Sequence, residues 1–209
     1  MFSSTRTYIV PVTMLLVFIG FTVWSVIRPR DYAIWFAEVT PALVTVIILC
    51  ATFRTFRFTD LFYGLLAASL ILVLIGGHYT YESVPAFNEL KRWFHWKRNH
   101  FDRLGHGFQG IIPAFAAREL LLRLHLMKPG KWPIAIAIAC TLAVSSLYEI
   151  AEFAAYECVG GNADEFLGMQ GDRWDAQWDM ISALSGAIIG LVCVGRLHAR
   201  KIHERMSSE

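Results

Sequence analysis

Charge is scarce in this chain. Only 17% of its 209 residues are Asp, Glu, Lys or Arg, while 56% are hydrophobic, and the mean hydropathy of +0.46 lies above that of an ordinary soluble domain. The formal charge of +2 supplies no global steering field, and low-complexity tracts are missing, so a disordered chain and a soluble nucleic-acid binder are both poor readings. Cysteine spacing is equally uninformative. Cys50, Cys140 and Cys193 sit inside apolar runs, Cys158 sits at the edge of one, and no CxxC pair exists, which leaves no disulfide framework or thiolate metal site. HExxH is absent, as is the D-x-D-x-D-G spacing of a calcium loop.

What is abundant is long apolar sequence. A helix needs about 20 predominantly apolar residues to cross the hydrocarbon core of a bilayer, and six stretches qualify, at about 7 to 27, 32 to 53, 60 to 78, 104 to 125, 132 to 157 and 175 to 195. The predicted fold is therefore all-α, a single polytopic bundle of six transmembrane helices over residues 1 to 209. Arg6 precedes the first run as in a signal peptide, but the run is too long and lacks a small-residue cleavage site, so it reads as a retained helix. The fourth span carries His106, Gln109, Arg118 and Glu119 and must face protein or water. Residues 82 to 103 form the longest connection, in which Phe87, Leu90, Phe94 and Phe101 alternate with Lys91, Arg92, Lys97 and Arg98. This suits a helix lying in the interface, anchored by Trp93 and Trp96 against phospholipid headgroups; a basic surface loop is the alternative. A narrow excess of Lys and Arg, including Arg196, Arg200, Lys201 and Arg205 after the last span, places both termini in the cytoplasm.

Ionisable groups inside spans are costly, by about 2.5 to 3.5 kcal/mol each at a helix centre, so their positions carry information. Asp102, His106 and Gln109 share one face of the fourth span; Glu149, Glu152 and Tyr156 share a face of the fifth; Asp172, Asp175 and Asp179 enter with the sixth, and His78 closes the third. Threading the chain through alternating spans brings these positions to one membrane face. Imidazole and carboxylate together form the ligand set of a borderline divalent metal such as Zn²⁺ or Mn²⁺. The expected ligands are His78, His106, Asp175 and Asp179; Glu149, Glu152 and Asp172 are candidate acid-base groups; Asp102, Gln109, Arg118, Tyr156 and Trp174 complete the pocket. The reaction class that follows is metal-dependent hydrolysis or transfer on a lipid or lipid-linked envelope substrate. Two other readings stay open, an ion-coupled transporter or proton relay, and a purely structural polar plug.

Three smaller expectations complete the reading. The stretch 158 to 173 is Gly-rich and acidic, with Gly160, Gly161, Gly168, Gly171, Asp164, Glu165 and Asp172, and reads as a lid or re-entrant turn, or as a plain loop. Gly186 and Gly190 form a G-x-x-x-G that lets a neighbouring helix approach. His95, His100, His125, His198 and His203 are expected to be solvated or phosphate-facing.

The blocks DRLGHGFQGIIPAFAARE, YEIAE and GMQGDRWDAQWDM give the whole chain a resemblance to the YjdF-type bacterial inner membrane proteins. More distantly, Asp102 to His106 opening one helix, Glu149 ending the next, and Asp179, Gly186 and Gly190 in a D-x6-G-x3-G pattern are similar to VanZ-like proteins. That family usually has Asn where this chain has Ala183. The resemblance implies a multi-pass inner-membrane fold, a role in the cell envelope, and importance for these polar positions.

Overall fold

The computed structural model describes residues 4–159 and 169–207, and seven α-helices lie among them. They are α1 (Ser4–Val26), α2 (Tyr32–Thr52), α3 (Asp60–Tyr79), α4 (Pro85–Trp93), α5 (Phe101–Arg123), α6 (Lys131–Val159) and α7 (Asp175–Met206), with short 3₁₀ turns at Tyr81–Ser83 and Met169–Gly171. Local chemistry sets several boundaries. The Asp31 carboxylate caps α2 by accepting from the Ala33 and Ile34 amides at 2.7 and 3.0 Å. Thr59 caps α3, which ends at Thr80 in the left-handed conformation (φ 56°). Pro85 opens α4 at the one helical turn that loses nothing by lacking an N–H.

Among the described residues five helices, not six, are long and apolar enough to cross a membrane: α1, α2, α3, α6 and α7. The exception is α5, and the reason is charge, since Asp102, Arg103, Arg118, Glu119 and Arg123 all fall within it. The fold is therefore an all-α polytopic bundle around one polar helix. α5 packs against α7, α6 and α3, while α1, α2 and the outer faces of α6 and α7 present side chains such as Leu16, Ile47, Leu147 and Val192 outward. The boundary of the last helix also differs from expectation. α7 runs to Met206, so Arg196, Arg200, Lys201 and Arg205 continue a helix rather than form a tail.

The closest approach in the bundle is between α5 and α7. A Cβ on Gly186 would fall on the Gly107 carbonyl, and one on Gly110 would fall on the carbonyl of Ala183. Only hydrogen at these positions lets the two backbones touch, so the neighbour that Gly186 admits is α5. Gly190 meets side chains instead, with a Cβ there 3.2 Å from Ile111 and 3.3 Å from Phe115. Residues 82 to 103 comprise the short α4 and the irregular stretch after it. Phe87 packs on Phe101 at 5.3 Å between ring centroids, Phe94 stacks on Trp96 at 5.1 Å, and Trp93 is exposed. Of the Gly-rich stretch 158 to 173, Gly160, Gly161, Asn162, Asp164, Glu165 and Gly168 lie outside the described residues, and with them most of the expected lid.

Candidate metal centre

Helical spacing puts Asp102 and His106 one turn apart on α5, and Asp175 and Asp179 one turn apart on α7. The α5–α7 contact at Gly107 and Gly186 then brings the two pairs together. His106 Nε2 lies 3.4 Å from Asp102 Oδ1 and 3.6 Å from Asp179 Oδ1, and ligand-capable atoms of all three residues fall within 4.8 Å of one another. Asp102, His106 and Asp179 are all buried.

Two arginines hold the surrounding carboxylates. Arg98, from the stretch preceding α5, donates to Asp172 and Asp175 at 3.0 Å each. Arg103 donates to Asp102 at 2.9 Å and also to Asp175 and Asp179. The loop before α7 is tied down by reciprocal bonds, the Asn99 amide to Gln170 Oε1 at 2.8 Å and Gln170 Nε2 to the Asn99 carbonyl at 2.9 Å. The Met169 amide donates to Asp175 Oδ2 at 2.9 Å.

Four carboxylates against two guanidinium groups leave the cluster short of two positive charges. A protonated His106 supplies one, whereas a divalent cation with neutral His106 as its ligand closes the deficit. The geometry fits an ion. Tetrahedral ligands about 2.1 Å from a metal stand about 3.4 Å apart, close to the two Nε2–Oδ1 separations, which are too long for good hydrogen bonds. The cluster is thus capable of coordinating a metal.

It opens into a cavity of about 710 Å³ walled by α2, the turn that follows α3, α5, α6, the Met169–Gly171 turn and the start of α7. Glu149 and Glu152 line it, and Glu149 Oε1 is buried with no hydrogen-bond partner among the described residues, as is His106 Nδ1. Glu38 of α2 completes the far wall, accepting from the Tyr148 hydroxyl at 3.0 Å. Tyr81 also lines it. Burial, and then the Glu38 and Asp102 carboxylates, push its phenol well above its usual range, so it stays protonated.

Of the residues singled out by sequence, Asp102, His106, Glu149, Glu152, Asp175 and Asp179 meet around this cavity. Asp172 reaches the arginines from the loop, and Trp174 is exposed, its amide donating to Asp172 at 3.0 Å. Gln109 and Tyr156 are not among the cavity's lining residues. His78 lies elsewhere: its Nδ1 is 3.0 Å from the Ser25 carbonyl and its ring sits 4.5 Å from that of Trp24, so it holds α1 to α3 instead of completing a ligand set. Arg118 is at the opposite end of α5, donating to the Gly195 carbonyl at 2.8 Å. Sequence reasoning passed over Glu38, Asn99, Arg103 and Gln170. Glu38 carried the same signal as the others, an acid inside an apolar run.

A second polar cluster occupies that opposite end. Glu119 accepts from the Thr59 amide, the Thr59 hydroxyl and Arg123 at 2.8, 2.9 and 2.8 Å, with His198 Nε2 at 3.2 Å. His198, expected to be solvated, is fully buried with its ring 4.6 Å from that of Phe115. The α7 helix continues past the expected span end and carries His198 inward, which a boundary at residue 195 conceals.

A family model described as "Predicted membrane protein (DUF2238)" matches residues 10–200. The chain is 39% identical over 198 residues to the "Inner membrane protein YjdF" of Escherichia coli (strain K12), covering 94% of this chain and 91% of that protein. No solved structure matches. By the span of the family match and by this identity, the chain belongs to the DUF2238 family of membrane proteins.

Proposed function

We propose that this protein crosses the bacterial inner membrane six times with both termini in the cytoplasm, and that its buried centre holds Zn²⁺ or Mn²⁺ for hydrolysis or transfer on a lipid or lipid-linked envelope substrate. The observation that carries the reading is the Asp102, His106 and Asp179 grouping beside a cavity whose wall holds an unpartnered carboxylate oxygen on Glu149. The name of the Escherichia coli relative supports the membrane assigned. The sixth crossing is α5. Asp102 and Glu119 are 17 residues apart, which at 1.5 Å per residue is about 26 Å, near the thickness of the hydrocarbon core. Polar residues on such a helix face the bundle interior, as those of α5 do. Trp93 and the basic residues of α4 anchor the same face at headgroup depth.

A divalent ion here would lower the pKa of a bound water and polarise an ester or phosphoryl oxygen. Glu149, on the cavity wall, would take that water's proton, and Glu152 stands one turn further along the same wall. Arg103, already on Asp102 and Asp179, positions these carboxylates. Asp172 and Asp175 hold the two guanidinium groups in place.

A proton-relay reading draws on one specific observation, the Tyr148–Glu38 hydrogen bond that extends the carboxylates from α6 to α2 across the cavity. Elemental analysis of protein purified in detergent without chelator separates the two. About one equivalent of zinc or manganese is expected in the wild type and none in His106→Ala or Asp179→Asn of equal folding yield. Metal-free wild type from metal-replete cells overturns the metalloenzyme reading and directs attention to proton flux in proteoliposomes.

A further inference from the structure

On the outer side of the α5–α7 contact runs a groove of about 670 Å³ that is separate from the acidic cavity. That volume lies in the range of small-molecule pockets. Its floor is the backbone at Gly107, Ser182 and Gly186, where the absence of bulky side chains leaves a trench, and Ile111 and Ile189 flank its deep end. From Trp178 to Ile189 the α7 wall spans 11 residues, about 16 Å along the helix axis. The trench starts at the charged end of the bundle and runs toward its apolar middle.

The mouth has the opposite character to the cavity. Arg98, His100 and Arg103 line it against the single acid Asp172, whereas the cavity is lined by Glu38, Glu82, Asp102, Glu149, Glu152, Asp175 and Asp179 without any Arg or Lys. Arg98 Nε is buried with no hydrogen-bond partner among the described residues, one donor left over after its two Nη groups are engaged. Asp172 is already taken by Arg98 and the Trp174 amide. An ammonium-bearing headgroup would therefore meet guanidinium and no open carboxylate, while a phosphate would meet its preferred partner.

We infer that this groove holds an anionic phospholipid of the surrounding bilayer, one acyl chain lying along the Gly107–Gly186 trench and the phosphate seated against Arg98 and Arg103. Arg103 faces both ways, since it lines the groove and pairs with Asp102 and Asp179. A phosphate that draws on Arg103 loosens its hold on these carboxylates, so the lipid headgroup and the metal centre are linked through one side chain. The proposal rests on the metal-centre reading only for making that lipid the substrate; occupancy of the groove is independent of metal.

The test is native mass spectrometry of the full chain in detergent with EDTA present, titrated with phosphatidylglycerol or phosphatidylethanolamine. Wild type is expected to retain one phosphatidylglycerol and to bind it about tenfold more tightly than phosphatidylethanolamine. Ser185→Trp, an exposed position on the groove wall, fills the trench and is expected to weaken both lipids about tenfold. Arg98→Gln is expected to remove the preference for phosphatidylglycerol while leaving chain-driven binding. Equal binding of the two lipids by wild type, no effect of Ser185→Trp, or displacement of the lipid by excess inorganic phosphate overturns the proposal. Should Arg98→Gln fail to fold, the headgroup comparison in wild type and the Ser185→Trp variant still decide it. Because EDTA is present throughout, loss of lipid binding and absence of metal are separate results.

Discussion

At one end of α5, Glu119 is fully buried and each of its oxygens has two partners among Thr59, Arg123 and His198. About 26 Å away along the helix, Asp102, His106 and Asp179 use the same side-chain chemistry and are left with too many carboxylates, an idle Nδ1 and a cavity beside them. The first cluster is closed at its carboxylate: both Glu119 oxygens are fully engaged. The second is open, and its surplus of negative charge asks for a cation. Composition alone does not separate a lock from a site. The balance of charge around the carboxylates and the presence of adjoining space do.

Breaking the closed cluster has the largest expected effect. Glu119→Ala leaves Arg123 and His198 without their shared carboxylate, and removal of one member of a buried ion pair costs about 3 to 5 kcal/mol, so a steep fall in melting temperature in detergent is expected, with unchanged metal content per folded chain. Gly186→Ala comes next. Its Cβ meets the Gly107 carbonyl, α5 and α7 must separate, and a cost of about 1 to 3 kcal/mol is expected; both clusters are disturbed, so thermal stability and bound metal should fall together.

Asp179→Asn tests the open cluster. Taking one carboxylate from an overcharged group should change stability by less than about 1 kcal/mol, while metal affinity falls by more than the about 10- to 100-fold that loss of an outer hydrogen-bond partner costs a metal centre. A large stability loss here with no change in metal would make the two ends alike and end the contrast. The smallest effect concerns His100 at the groove mouth. Burial, and then Arg98 and Arg103, hold its imidazole below the usual 6.5. The folded chain therefore binds fewer protons there than the unfolded one, and this contribution to stability is complete above the usual value and is lost as pH falls through the folded one. Melting temperatures at about pH 7.5 and about pH 5.5 should fall slightly less for His100→Gln than for wild type.

How much of this was legible in the sequence follows from what a helical period can and cannot say. Apolar length located α1, α2, α3 and α6 to within a few residues, and i, i+4 spacing put Asp102 with His106 and Asp175 with Asp179. Alternating threading brought those pairs and Glu149 to one end. A period identifies the face of a helix but not the neighbour that face meets, so His78 was grouped with the site although Ser25 and Trp24 of α1 claim it. Arg98 reads as a contribution to a basic interface, because side-chain reach from a turn into a cluster leaves no periodic trace. The closed cluster was hidden by a helix boundary: α7 continues through a basic stretch that hydropathy counts as a tail.

The glycine contact between α5 and α7 has a mechanical consequence. Gly186 lies between Asp179 and His198, so α7 is clamped against α5 at its middle by backbone contact and further along by the Glu119–His198 pair. Two clamps fix a beam's line, and the segment from Gly186 to Asp179 is a short overhang of about 10 Å. The separation of His106 from Asp179 is thus inherited from supports outside the centre itself, so the ligand side chains need not stabilise their own placement and are free to be chosen for chemistry.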